Sequence, residues 1–183
     1  FATANTIAQY QLPVYTDYLT DNYYLLHPAM AGAHFEGAKV RLTHRAQWQG
    51  VQNAPALQTL NGHSRLGRRT GFGATFYRAQ NGFQSRIGGL LTYSDHINFF
   101  RSIVQINQFS FGLSVGGVNS THDQTSFDPF VVDPLLTGTK VRSSSLHMDM
   151  GFSYNRLGLY AHMTVKNLFF RGNNISDAVA LEK

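Results

Sequence analysis

The run Ala38-Lys39-Val40-Arg41-Leu42-Thr43-His44-Arg45-Ala46-Gln47-Trp48 decides the fold. Its even positions, Ala38, Val40, Leu42, His44, Ala46 and Trp48, are nearly all apolar. Its odd positions, Lys39, Arg41, Thr43, Arg45 and Gln47, are all polar. Successive side chains of a strand point to opposite faces, so period two sorts these residues into one greasy and one wet face. A period of 3.6 would mix them around a helix. The spacing therefore predicts a strand of about ten residues.

The same alternation returns along the chain. Phe109, Phe111, Leu113 and Val115 alternate with Ser110, Gly112, Ser114 and Gly116. Leu146, Met148, Met150, Phe152 and Tyr154 alternate with His147, Asp149, Gly151 and Ser153. Leu157, Leu159, Ala161, Met163 and Val165 alternate with Gly158, Tyr160, His162, Thr164 and Lys166. Weaker strands are expected near Leu57–Leu66, Gly71–Arg78 and Ser85–His96, which makes seven, with no long helix. Sandwich strands usually run ~5–6 residues. Membrane-crossing strands need ~9–11, and four segments here reach that length. The expected fold is all-β: a transmembrane antiparallel up-and-down β-barrel. An odd strand total, with a tail Ser176–Lys183 that has no strand pattern, adds the expectation that this is part of a longer barrel chain.

Composition agrees. Of 183 residues, 14% are charged and 13% aromatic, with 14 Phe, 9 Tyr and 17 Gly. Soluble domains usually carry ~25% charged residues. No stretch of about 18 apolar residues exists to form a membrane helix, and the mean hydropathy is -0.21. Alternating strands escape such a window. There are no cysteines, which removes thiol chemistry and Cys-based metal sites. The net charge is +5, but the cations are scattered apart from Arg65, Arg68 and Arg69, so no nucleic-acid partner is expected.

The polar faces carry Lys39, Arg41, Arg45, His147, Asp149 and His162, which a polar lumen explains without catalysis. A turn at Asn155-Arg156 is expected between the last two strands. The stretch from Asn119 to about Arg142, with Asp128-Pro129 and Asp133-Pro134, reads as a long loop. Barrels have short periplasmic turns and long outer loops, so a periplasmic N-terminus would place the long loop outside. Tyr23-Tyr24, Trp48, Phe99-Phe100 and Phe169-Phe170 lie where interfacial girdles are expected. Residues 1–33 form an irregular periplasmic or plug segment, and 34–183 the barrel. The first residues read either as the tail of a signal peptide, cut after Ala4 or Ala8, or as an ordinary N-terminus.

No enzymatic or cofactor motif stands out. The eight histidines include no H-E-x-x-H. His147 and His162 share a face of neighbouring strands and, with Asp149, define a candidate lumenal cluster, although a hydrogen-bonded interior explains them better. There is no G-x-S-x-G, and Arg142-Ser143-Ser144-Ser145 reads as loop. Asp123, Asp128 and Asp133 lack calcium-loop spacing. No cofactor and no metal is expected.

Two stretches go further. Asn22-Tyr23-Tyr24-Leu25-Leu26-His27-Pro28-Ala29-Met30-Ala31-Gly32 is followed by Arg45-Ala46-Gln47-Trp48-Gln49-Gly50-Val51-Gln52-Asn53-Ala54-Pro55. In this order they resemble the PorP/SprF family of the type IX secretion system, with its N-P-A-x-A-G and R-x-Q-W-x-G-x-x-x-A-P segments. Phe111-Gly112-Leu113, Gly151-Phe152-Ser153-Tyr154 and Asn167-Leu168 follow the same order, so the likeness covers about residues 20–170. His27 stands where the family usually has Asn, and Leu57 where a Thr often stands. The family is also longer. The resemblance implies an outer-membrane barrel of the Bacteroidota. It implies partners among secreted surface adhesins carrying a C-terminal signal domain, and among secretion or gliding components. Candidate plug or partner contacts are Asn22, His27, Pro28, Ala29, Gly32, Arg45, Gln47, Trp48, Gly50 and Pro55. Gln47 is expected to face the interior and Trp48 the lipid. A passive channel, with Lys39, Arg41 and Arg45 favouring anions, is the alternative function.

Overall fold

A computed structural model describes residues 22–33, 37–48, 50–101, 106–123, 140–168 and 171–172. Eight strands follow one another: β1 (Ala38–Ala46), β2 (Ala56–Leu66), β3 (Thr70–Asn81), β4 (Gln84–Arg101), β5 (Ile106–Asp123), β6 (Lys140–Arg156), β7 (Leu159–Val165) and β8 (Arg171–Gly172). Each of β1 to β7 pairs antiparallel with the next, in the order β1-β2-β3-β4-β5-β6-β7, while β8 pairs with β6. The sheet curls into a half-barrel. Among the described residues, β1 and β7 are each paired on one side only.

Alternation sorts the two faces as the sequence requires. On the convex face Val40 is 72% exposed, Leu42 74% and Leu91 67%, and Leu60, Phe72, Phe76, Ile87, Phe111, Val115 and Leu146 are exposed as well. An apolar surface this continuous would be a liability in water. In lipid it is the expected solvent-facing side, and the strand ladder satisfies the backbone there. On the concave face Thr59, Asn61, Thr75, Thr92, Ser94, His96, Ser110, Ser114, His147 and Ser153 are buried. The concave side holds one small apolar cluster, Leu57, Tyr77 and Val118 with Ala79 against it. No helix among the described residues is long and apolar enough to cross a membrane.

The weaker strand signals are real strands, and β4 and β5 reach 18 residues each. Three local expectations are corrected. The β6–β7 turn is Leu157-Gly158, not Asn155-Arg156. Arg156 pairs with Leu159, and both turn residues have positive φ, 50° and 85°. That geometry is the two-residue hairpin form whose twist matches the flanking strands. Arg142-Ser143-Ser144-Ser145 lies inside β6 rather than in a loop, because it continues the ladder with Ser120 and its neighbours on β5. Tyr24 is not at a membrane interface: it is 5% exposed, inside the concavity. The stretches 1–21, 124–139, 169–170 and 173–183, with the proposed signal-peptide tail, most of the long loop, Phe169-Phe170 and the tail, lie outside the described residues.

Candidate functional site

The concave face is filled from the N-terminal side of the chain. Two short 3-10 turns, Tyr23–Leu25 and Pro28–Met30, carry the segment across the sheet. Proline at the first position of the second turn suits its fixed φ and missing donor. Pro28, Ala29, Met30 and Ala31 are buried.

Side chains of the sheet take up the segment's polar groups. The Ala31 carbonyl accepts from Ser94 Oγ at 2.6 Å and from His96 Nε2 at 2.8 Å. His96 is fully buried, and its Nδ1 lies 2.8 Å from Ser110 Oγ. Donation from Nε2 leaves Nδ1 as the acceptor of the serine hydroxyl in the neutral ring. The Gly32 amide donates to His63 Nδ1 at 3.1 Å. Tyr24 donates its hydroxyl to Thr92 at 3.0 Å, and Thr92 is 2.7 Å from Ser114 Oγ. Burial pushes the Tyr24 phenol above its ordinary 10, so it remains a donor. His27 Nδ1 is 2.6 Å from Thr164 Oγ1, and its ring stacks on His162 at 5.3 Å. Burial lowers the His27 pKa below 6.5, with His162 and Lys166 adding repulsion to the charged form.

Backbone must come very close for this seating. Gly112 has no side chain, and a Cβ there would fall on the Pro28 carbonyl and Ala29 N. Gly32 sits at φ +70°, and a Cβ on it would meet Ser64 O at 3.0 Å and Arg65 and Gly71 backbone at 3.1 Å. Only glycine meets both demands there.

These contacts run from the connection 67–69, near Gly32 and His63, to the middle of β4 and β5 at Thr92 and Ser114. At the opposite end, next to the connections 47–55 and 124–139, a cleft of about 310 Å³ opens between strand ends. Arg45 and Gln47 line it from β1 and just beyond, and Gln84 and Arg86 from β4. With the amide oxygens turned to the guanidinium groups, Gln47 accepts from Arg45 Nη2 at 2.7 Å, and Gln84 accepts from Arg86 Nη2 at 2.6 Å and Nε at 2.9 Å. The Gln47 amide donates to Pro55 O at 2.9 Å, which ties the start of β2 to the end of β1. Asp123 and Lys140 pair at 2.8 Å at the neck of the 124–139 connection.

The residues singled out from sequence separate into groups. Asn22, His27, Pro28, Ala29 and Gly32 lie in or beside the seated segment, with Asn22 O accepting from the Leu25 amide. Arg45, Gln47 and Pro55 line the cleft. Trp48 is 70% exposed at φ 52°, and Gly50 has φ 94°. Lys39 and Arg41 share the concave side with Arg45, and Arg41 Nη1 is buried without a hydrogen-bond partner among the described residues. The lumenal trio does not assemble. His162 is opposite Ser153, whereas His147 is opposite Gly116 on β5. Asp149 Oδ1 instead accepts from the Asn167 amide at 2.9 Å. Antiparallel register separates the two histidines although they share a face. No group of three metal-ligating side chains occurs among the described residues. Sequence reasoning missed His63, His96 and Ser94 as holders of the segment. Their inward alternation was visible, but what they would touch was not.

A curled antiparallel sheet, apolar outside and polar within, with its concavity occupied by its own preceding segment, defines a β-barrel-type membrane protein. The family model for type IX secretion system membrane protein PorP/SprF matches residues 7–182, and the chain belongs to that family. No curated protein matches the chain, and no solved structure matches it.

Proposed function

We propose that this chain is a non-enzymatic barrel of the outer membrane that binds a secreted surface protein and helps export or anchor it through that protein's C-terminal signal domain. Its partners are then outer-membrane lipid around the convex face, a surface adhesin as cargo, and other type IX secretion or gliding components. Residues 1–33 act as the periplasmic plug segment and 34–183 as barrel. The connections 67–69, 102–105 and 157–158 then face the periplasm, and the short 82–83 turn and the 124–139 connection face the outside.

One observation carries this reading over a passive channel: the segment 22–33 is seated across the concave face by hydrogen bonds to β2 and β4. A lumen obstructed at one end and lined by cations at the other suits capture better than conduction. Mass spectrometry of the complex, purified gently from native outer membrane, tests it. A large surface protein is expected to co-purify; recovery of the barrel alone would overturn the reading. The channel alternative draws on the inward Lys39, Arg41 and Arg45. Planar-bilayer recording of the purified protein is expected to be silent, and a steady anion-selective current would favour the channel.

A further inference from the structure

We infer that the convex face carries a site for an anionic glycerophospholipid, with an acyl chain in a groove across β1 to β4 and the headgroup phosphate at the β2–β3 turn. This rests on the membrane-barrel part of the reading above, not on its cargo, and names the lipid class that the face would select.

The groove follows from side-chain size along one row of the sheet. Val40, Gly62, Ala74 and Leu91 lie opposite one another across β1, β2, β3 and β4. Val40 and Leu91 stand exposed on the convex face, whereas Gly62 and Ala74 between them present only a hydrogen and a methyl group. The row is low in its middle, and an apolar groove of about 620 Å³ runs there. One row nearer the β2–β3 turn, Phe72 and Tyr93 line the same groove and pack edge to face at 5.3 Å. The row on the other side, Leu42, Leu60 and Phe76, carries large side chains throughout.

The turn is basic. Gly67-Arg68-Arg69 joins β2 to β3, with Gly67 at φ 77°, and Arg65 Nη2 donates to Arg68 O at 3.1 Å. Arg68 and Arg69 are exposed. The carboxylates among the described residues are Asp95, Asp123 and Asp149, and of these only Asp95, opposite Thr70, lies at this end. Three guanidinium groups therefore outnumber one carboxylate there.

Distance joins the groove to the turn. Gly62 and Arg68 are six residues apart. At ~3.3 Å per residue and a strand tilt of ~40°, that is about 15 Å of depth, half of a ~30 Å hydrocarbon core. A groove one leaflet deep below a cationic turn matches an acyl chain below its phosphate. Guanidinium groups hold phosphate oxygens through paired N–H bonds. Cations at a membrane surface also favour a net negative headgroup over a zwitterionic one. A free anion would leave the groove empty, and an apolar peptide would leave the arginines unanswered.

Lipid analysis of the full chain tests this. The protein is repurified from detergent micelles holding equal amounts of dimyristoylphosphatidylglycerol and dimyristoylphosphatidylcholine, which share acyl chains and differ in net charge. The anionic lipid is expected to be retained over the zwitterionic one by at least about tenfold, and Arg68→Gln/Arg69→Gln to abolish that preference, the attraction of two surface cations being of this size. Salt at about 0.5 M is expected to erase the preference in the parent chain through screening, a result independent of how any variant folds. Ala74→Phe raises the middle of the groove and is expected to lower retention of both lipids while leaving their ratio. Excess inorganic phosphate is expected to displace neither. Equal retention of the two lipids, a preference that survives salt or Arg68→Gln/Arg69→Gln, unchanged retention in Ala74→Phe, or displacement by phosphate would overturn the inference. Liposome flotation keeps the two readings apart. Protein that floats with liposomes but retains both lipids equally loses this site alone; protein that does not enter liposomes loses the membrane reading and the site with it.

Discussion

At Gly112, on the concave side of β5, a Cβ would collide with backbone of Pro28 and Ala29, and backbone cannot swing aside as a side chain can. Gly112→Ala is expected to destabilise the docked segment by about 1–3 kcal/mol, the usual penalty of overpacking. Hydrogen exchange at residues 22–33 measures it. Gly117→Ala is the control, because a Cβ there meets only ordinary contacts at 3.6 and 3.7 Å and faces away from the segment. Its exchange is expected to match the parent. Leu157 offers the opposite case. It occupies φ 50° in the β6–β7 turn with its side chain 62% exposed. Leu157→Asn is expected to stabilise the hairpin by about 1 kcal/mol, because asparagine tolerates the left-handed region that costs other side chains about 1–2 kcal/mol. Urea titration in detergent reads the change. The sequence pointed to Asn155-Arg156 instead; that Leu157 and Gly158 form the turn was hidden because both fit the strand alternation.

The docked segment is a separate element whose attachment uses histidines, and this makes it sensitive to pH. His27 has a folded pKa below 6.5, because it is partly buried and faces His162 and Lys166. The undocked, unfolded form takes the proton first as pH falls. The stability that neutral His27 contributes is therefore fully present above pH 6.5. It declines as pH falls from 6.5 through the lower folded value, and levels off beneath it. Hydrogen exchange of residues 29–32, normalised for intrinsic rates, is expected to speed up on acidification below pH 6.5. His27→Asn is expected to flatten that dependence. The far end of the sheet shows another element-scale device. Between β7 and β8, Asn167 has φ 58°, and its amide turns to the Asp149 carboxylate while the Leu168 amide bonds Met148 O at 2.8 Å. An inward carboxylate thus replaces one rung of the ladder and lets the strand resume against β6. The Asn167-Leu168 pair was visible in the sequence only through family likeness; the carboxylate that answers it is eighteen residues away and could not be read from spacing.

For the whole molecule, the convex face predicts behaviour in lipid. Leu91 lies on the convex face of β4, 67% exposed. Leu91→Arg is expected to destabilise the protein in bilayers by about 2–4 kcal/mol if Leu91 sits near the midplane, and less toward an interface. Denaturant titration in liposomes measures it. The two ends of the half-barrel differ in kind: one is occupied by the segment 22–33, the other carries the Arg45 and Arg86 cleft.

What the sequence determined by itself is the local rule. Period-two alternation specifies strands, and the apolar phase of Val40, Leu42, Phe111 and Val115 specifies which side is the exposed apolar one, because side-chain direction in a strand follows from backbone geometry alone. Two motifs specified the family. Only the tertiary structure decided register and occupancy. It set His162 opposite Ser153 instead of near His147, and placed the turn at Leu157-Gly158. It also brought Ala31 to Ser94 and His96, more than sixty residues along the chain. Register depends on how every rung of the ladder fits at once, and docking depends on surfaces that exist only after the sheet has curled. Neither quantity is local, so neither is written in any one stretch of residues.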